Sequence, residues 1–281
     1  MRAVHTVKEI REALEAVREP DKAIGLIPTM GALHTGHEKL METARRECGL
    51  VVVTIFVNPL QFGPNEDYAR YPRPLQADVE LCRRHGVDFV FAPAAEEMYP
   101  QPQLTFTQVT RVSDHLCGAY RPGHFRAVAT VVLKLFNIVQ PHRAYFGEKD
   151  MQQLAVIRRM TADLNLPVAI VPVPTVREPD GLAVSSRNGY LDPEQRKVAP
   201  LLYRALQEAE KQIRSGEKDA AKIRAAALGV LGQAPLVRVE YLEVVDPDEM
   251  QPVSSVTPPV HVAGAVWLGA TRLIDNVFVA E

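Results

Sequence analysis

Cysteine is scarce in this 281-residue chain: Cys48, Cys82 and Cys117 stand more than thirty residues apart. An odd count at that spacing excludes a disulfide framework and a cysteine knuckle for metal, so reduced thiols in a reducing compartment are expected. Long apolar runs are lacking as well. No eighteen apolar residues run together, and the most apolar stretch, residues 50–57, has the length of a strand. The first twenty residues carry charges every few positions and no apolar core of signal-peptide size, which predicts a cytoplasmic protein without a membrane partner. Charge of one sign is not in excess: 32 basic against 34 acidic residues give a net charge of −2. That balance provides no broad basic field for nucleic acid, so any anion site must be local. Neither a Walker A lysine loop nor GxGxxG occurs, which removes the main support for kinase-like and dinucleotide-binding readings.

What is present is ordinary globular composition over a length of about two domains. Thr6 and Glu9 form a capping box ahead of Ile10, Leu14 and Val17, predicting a first helix. An apolar run over 23–28, a loop over 29–36 and a helix over 37–48 follow. Residues 50–57 are so uniformly apolar that they read as a strand covered on both faces, as in a parallel sheet. Helices near 75–85, 125–139 and 151–164 then alternate with strands at 87–91, 144–146 and 168–173. This alternation predicts an α/β fold, a Rossmann-like doubly wound parallel sheet over 1–175, with a ligand crevice at the carboxyl ends of the strands.

Pro172, Pro174 and Pro179 beside Asp180-Gly181 are turn chemistry and read as a hinge. Beyond it Asp192, Pro193 and Gln195 open a helix expected to reach about residue 213. A second helix to about 231 and strands near 237–245, 262–268 and 273–279 complete a smaller C-terminal α+β domain over 176–281.

Chemistry concentrates in a few loops. Pro28-Thr29-Met30-Gly31-Ala32-Leu33-His34-Thr35-Gly36-His37 lies between a buried strand and a helix start, where unpaired N–H groups and the helix dipole favour a phosphate. His34 and His37, three apart, can both face that phosphate; the plainer alternative is a tight turn with two solvated histidines. Phe146-Gly147-Glu148-Lys149-Asp150 occupies another strand end, with Gln152 and Gln153 following. A lysine at a helix start opposes the dipole and calls for an anion. Ser185-Ser186-Arg187-Asn188 offers two hydroxyls and a bidentate guanidinium. Gln61, in a proline-bounded loop, is an uncharged reader of a hydroxyl or carboxylate.

Together PTMGALHTGH, VNPLQFGPNEDYARYPR, RPGHF with KLFNIVQP, AYFGEKDMQQL and SSRNGYL, in this order and spacing, resemble the pantoate-beta-alanine ligase family. The resemblance resumes at Arg272-Leu273-Ile274-Asp275-Asn276, and HTGH is similar to the HIGH motif of the wider nucleotidyltransferase class. Ala127, Val184 and Pro74 depart from the residues the family usually has there.

The resemblance implies ATP-dependent condensation of pantoate with β-alanine through a pantoyl adenylate, releasing AMP and pyrophosphate with Mg²⁺. It implies His37, His34 and Lys149 as catalytic, His37 being the proton donor. Its nucleotide-binding set is Met30, Gly31, Ala32, Leu33, His34, Thr35, Gly36, His37, Gly147, Glu148, Lys149, Asp150, Val176, Val184, Ser185, Ser186 and Arg187. Gln61 and Gln153 would take pantoate or β-alanine. Pro28, Phe56, Val131 and Val132 are candidates for an apolar wall beside the pantoate methyls. Asp78 is placed to approach the metal, but no metal ligand is assigned because Mg²⁺ is held chiefly by phosphates and water. Arg121, His124 and Tyr71 sit in these motifs without a derived role. A homodimer is also implied. A lid role for the C-terminal domain is expected from position, since Ser185, Ser186 and Arg187 follow the proline hinge while the other phosphate residues precede it. Another adenylyl transferase, or a nucleotide-binding module without turnover, remains the alternative from other functional classes.

Overall fold

The structure is a computed structural model and describes residues 1–64 and 66–280. The chain forms two compact units. The first comprises Met1–Val109, Arg121–Glu148 and Val156–Pro174, the second Thr110–Tyr120, Lys149–Ala155 and Thr175–Glu281.

In the first unit the strands are β1 (Arg2–Val4), β2 (Ile24–Thr29), β3 (Leu50–Ile55), β4 (Phe89–Phe91), β5 (Arg143–Gly147) and β6 (Ala169–Val173). They form one parallel sheet in the order β1-β4-β3-β2-β5-β6. The longer helices between them are α1 (Val7–Glu15), α2 (Thr35–Glu47), α3 (Leu75–Arg84), α4 (His124–Val139) and α5 (Met151–Asp163), whose first turn belongs to the second unit. Leu40, Met41 and Ala44 of α2 pack with Leu81 and Cys82 of α3 against Ile27, Val51 and Val53 of the sheet. Val51, Val52 and Val53 are fully buried because both faces of β3 are covered. Each contributes roughly 1.5–3 kcal/mol of burial.

The doubly wound sheet follows the expected alternation, and the Thr6–Glu9 capping box is present at α1. Two details differ. Strand β1 is absent from the sequence-based expectation: it is three residues long and mostly exposed, so it has no apolar pattern, and it exists through pairing with β4. Helix α2 starts at Thr35 rather than 37, because His34 serves as its N-cap. Histidine is outside the usual cap residues, which hides the start.

In the second unit β7 (Val237–Val245), β8 (Val260–Leu268) and β9 (Thr271–Val279) make an antiparallel sheet in sequence order. Helices α6 (Pro193–Val198), α7 (Leu201–Arg214) and α8 (Ala220–Leu231) accompany it. Leu202, Ala205, Leu206 and Ile213 of α7 share a core with Val262, Val266, Leu273 and Val279. Asp192 and Gln195 form the expected capping box. The single helix expected over 193–213 is two, however, because Pro200 lacks the N–H that would continue it. Gln152 ties the 110–120 segment down: its Oε1 accepts from Cys117 N at 3.0 Å and its Nε2 donates to Val112 O at 3.0 Å and His115 O at 2.7 Å. No helix among the described residues is long and apolar enough to cross a membrane.

Candidate active site

Strand β2 lies between β3 and β5, so the order of connection reverses beside β2. Open α/β sheets bind ligands at such a switch point, outside the carboxyl ends of the strands. The loop after β2 carries Met30 to His34, and β5 ends at Gly147 with Glu148 next.

His34 and His37 cap α2 reciprocally. His34 Nδ1 accepts the Gly36 N–H at 3.2 Å, and His37 Nδ1 accepts the His34 N–H at 3.2 Å. A backbone N–H can only donate, so both Nδ1 atoms are bare and both rings carry their proton on Nε2. The rings lie 4.1 Å apart between centroids. The result is a pair of neighbouring Nε2–H donors at a helix N-terminus, a ready place for an anion.

The turn before them is held from α3. Gly31 and Ala32 have φ values of +79° and +51°, the left-handed region. Asp78, only 3% exposed, accepts from Ala32 N at 2.9 Å and from Leu33 N at 2.8 Å, one bond per carboxylate oxygen. Burial pushes the Asp78 carboxyl up, and the two backbone bonds pull against it. A Cβ at Gly31 would lie 2.9 Å from Asp78 Oδ2 and 3.0 Å from Ile55 Cγ2, so glycine is needed there for space as well as for φ. The structure therefore gives Asp78 a backbone-holding task.

Gln61 is fixed at both ends. Its Oε1 accepts from Asn58 Nδ2 at 3.2 Å and its Nε2 reaches Met30 Sδ at 2.9 Å. Its carbonyl accepts from Arg121 Nη2 at 3.2 Å and from His124 Nδ1 at 2.9 Å. Arg121 Nη1 stands 3.0 Å from His124 Nε2. Because a guanidinium only donates, that Nε2 is the acceptor and Nδ1–H is the donor to Gln61. Arg121 also forms a forked pair with Glu66, Nε to Oε1 at 2.8 Å with Nη2 on Oε2. Arg121 and His124 thus gain the role that sequence reasoning leaves open; only their presence in the RPGHF motif hints at it. The first turns of α4 run unbroken through Ala127, whose N–H bonds Gly123 O at 3.0 Å. Phe56, Val131 and Val132 are buried in the same unit.

The other anion candidates lie in the second unit. Lys149, with a side chain 20% exposed, is 3.7 Å from Asp150 Oδ1, and its carbonyl accepts from Asn276 Nδ2 at 3.0 Å. Ser185 caps a short 3-10 turn, its Oγ accepting from Arg187 N at 3.3 Å, and Ser186 and Arg187 follow in that turn, half-buried. The stretch feeding it is a tight ladder: Glu178 N to Leu182 O at 2.8 Å and Val184 N to Val176 O at 3.0 Å. One face of the Val176 carbonyl is therefore already used within the loop. Arg177 grips Asp275 with both nitrogens, at 2.5 and 3.0 Å, and stacks 3.6 Å from the Tyr203 ring centre. Gln153 is half-buried on the first turn of α5.

No group of three or more His, Cys, Asp or Glu among the described residues could cage a metal.

These features define a Rossmann-like α/β protein with a reciprocally capped histidine loop at the switch point of its sheet. Residues 2–278 match the family model described as pantoate-beta-alanine ligase. The chain is 53% identical over 276 residues to the pantothenate synthetase of Thermotoga neapolitana, covering 98% of this chain and 99% of the relative. It is similar to the crystal structure of pantothenate synthetase from Thermus thermophilus, with TM-score 0.95, 51% identity and full coverage of both chains. It is also similar to pantoate-beta-alanine ligase from Francisella tularensis, a structure described as complexed with beta-gamma ATP and beta-alanine, with TM-score 0.83, 31% identity, and 99% and 97% coverage. The chain belongs to the pantoate-beta-alanine ligase family.

Proposed function

We propose that this protein condenses pantoate with β-alanine at the expense of ATP, through a pantoyl adenylate. The observation that carries the reading is the reciprocal histidine cap at the β2 switch point, in a chain matching the ligase family over residues 2–278. The Francisella relative's complex with a nucleotide and β-alanine supports it.

A carboxylate does not acylate an amine at neutral pH. A pantoate oxygen first attacks the α-phosphorus and pyrophosphate leaves with the P–O bond electrons. The neutral amine of β-alanine then attacks the acyl carbon, the amide C–N bond forms as the nitrogen gives up one proton to water, and AMP departs with the former carboxylate oxygen and the electrons of the C–O bond. The protein's share of the first step is to neutralise developing charge and hold the attack in line. His34 and His37 supply Nε2–H donors for phosphate oxygens, and Lys149, Ser185, Ser186 and Arg187 supply the cation, hydroxyls and bidentate donor. Gly31, Ala32, Leu33, Thr35 and Gly36 shape the loop, backbone at Met30, Gly147 and Val176 with the Asp150 side chain holds the adenosine, and Glu148 and Val184 complete the nucleotide-binding set. Gln61 and Gln153 hold pantoate; neutral amides suit this, since a charged partner would pin the carboxylate that must attack. Bound with the triphosphate, Mg²⁺ would offset its negative charge.

The division into a nucleotide-binding part over 1–175 and a lid over 176–281, a homodimeric state and a cytoplasmic location belong to the same proposal; sedimentation equilibrium tests the dimer. The reaction itself is tested with pantoate labelled with ¹⁸O in its carboxylate. One label should appear in AMP. Formation of ADP, or unlabelled AMP, would overturn the reading.

A further inference from the structure

Strand β9 ends the chain with Asp275 and Asn276 buried side by side, at 5% and 8% exposure. Neither residue has a task in the chemistry above, and buried polar side chains are retained only with partners. Their partners are informative. Asp275 receives both Arg177 nitrogens, and Arg177 Nη2 also reaches the Asn276 carbonyl at 3.3 Å. Arg177 Nη1 further bonds Gly181 O at 3.1 Å, closing the base of the loop that runs on to Ser185. Asn276 N donates to Asp275 Oδ1 at 2.8 Å, so the carboxylate is also tied to the backbone of the next residue. Asn276 Nδ2 then donates to the Lys149 carbonyl at 3.0 Å.

Lys149 begins its stretch of the second unit in a single 3-10 turn, where repeating backbone bonds do not yet define its position. The Asn276 amide is a tertiary bond to that backbone. We infer that Asn276 is a positioning residue for Lys149, while Asp275, its neighbour on the strand, holds the base of the Ser185 loop through Arg177. Two parts of the proposed phosphate-handling set, 36 positions apart from Lys149 to Ser185, are thereby mounted on consecutive residues of β9. Burial pushes the Asp275 carboxyl up and its bonds to Arg177 pull against that push, with the Lys149 ammonium a smaller contribution in the same direction as Arg177.

The inference rests on the assignment of Lys149 to phosphate made above, and its test separates the two. Single-turnover pyrophosphate release is measured for Asn276→Ala, Asn276→Leu, Lys149→Ala and the Asn276→Ala/Lys149→Ala double variant, each alongside its thermal midpoint. The leucine variant keeps the branched side-chain shape without the donor, covering the case in which alanine does not fold. Misplacement of a reacting group by a fraction of an ångström costs on the order of tenfold or more. Asn276→Ala and Asn276→Leu should therefore slow adenylation about tenfold with the pantoate KM unchanged. In the Lys149→Ala background the same change should cost no more than about twofold, since there is no ammonium left to misplace. A purely structural asparagine would lower the midpoint equally in both backgrounds and slow both alike, which overturns the inference. Wild-type rates for both Asn276 variants overturn it too, while leaving Lys149 in place. A full rate for Lys149→Ala removes the assignment underneath.

Discussion

His34 and His37 each give up the same nitrogen, Nδ1, to the backbone of the helix they begin, at 3.2 Å in both cases. Cap and donor are thus separate atoms of one ring, and a substitution can remove one without the other. Asparagine matches the Nδ1 position and is a preferred N-cap. His34→Asn should keep the thermal midpoint near wild type while slowing adenylation, because the Nε2–H is gone. ¹⁵N chemical shifts of the wild-type rings should show the Nε2–H tautomer for both. A His34→Asn variant with full adenylation rate would confine that histidine to capping.

Removing one transition-state donor typically costs 10²- to 10³-fold. His37→Ala and Lys149→Ala should each lose on that order in single-turnover adenylation, about 3–4 kcal/mol at 1.36 kcal/mol per decade. Circular dichroism checks that the fold survives. Either variant at full rate takes that residue out of the phosphate contacts.

The Arg121–Glu66 pair should be felt at the acid site. Both side chains are largely buried, 15% and 24% exposed, so removing one leaves a charge with poor solvation. Glu66→Gln should lower stability by roughly 1–3 kcal/mol, less than the full cost of a wholly buried pair. Arg121 also holds the Gln61 carbonyl, so Arg121→Ala should raise the pantoate KM more than the ATP KM. An equal rise in both would mean that the clamp does not act through Gln61.

Most of the fold is legible in the sequence because its signals are local. The run 50–57 declares a doubly covered strand, and Thr6/Glu9 and Asp192/Gln195 declare helix starts. Strand β1 and the break at Pro200 escape for different reasons: β1 is held by a partner 87 residues away, as at Arg2 and Phe89, and the proline is outweighed by a long apolar period. The loops bearing His34, Gln61, Lys149 and Ser185 can be read from residue type and spacing. Their supports cannot, because Asp78, Arg121 and Asn276 act across 45, 60 and 127 positions, on Leu33, Gln61 and Lys149. A pattern within one loop carries no trace of a bond that distant.

Gly31 offers a test of the loop that leaves every chemical group in place. Its φ of +79° disfavours any side chain, and an added Cβ would press on Asp78 Oδ2 at 2.9 Å and Ile55 Cγ2 at 3.0 Å. A left-handed non-glycine residue costs about 1 kcal/mol or more before contacts are counted. The carboxylate must then shift, and its bonds to Ala32 and Leu33 lengthen. Gly31→Ala should therefore lower stability by roughly 1–3 kcal/mol and slow adenylation about tenfold or more, with both histidines intact. Asp78→Asn should act in the same direction, since an amide offers one acceptor where two N–H groups need two. The sign of the pH effect separates the two variants. Burial raises the Asp78 carboxyl, so this group favours the folded state most below its unfolded value near 3.8, and the advantage is lost as pH rises through the higher folded value. Wild type should show that component of the acid unfolding profile, Gly31→Ala should keep it or enlarge it because the two opposing bonds lengthen, and Asp78→Asn should lack it. If Gly31→Ala adenylates at the wild-type rate, the turn that Asp78 holds does not set the histidine geometry.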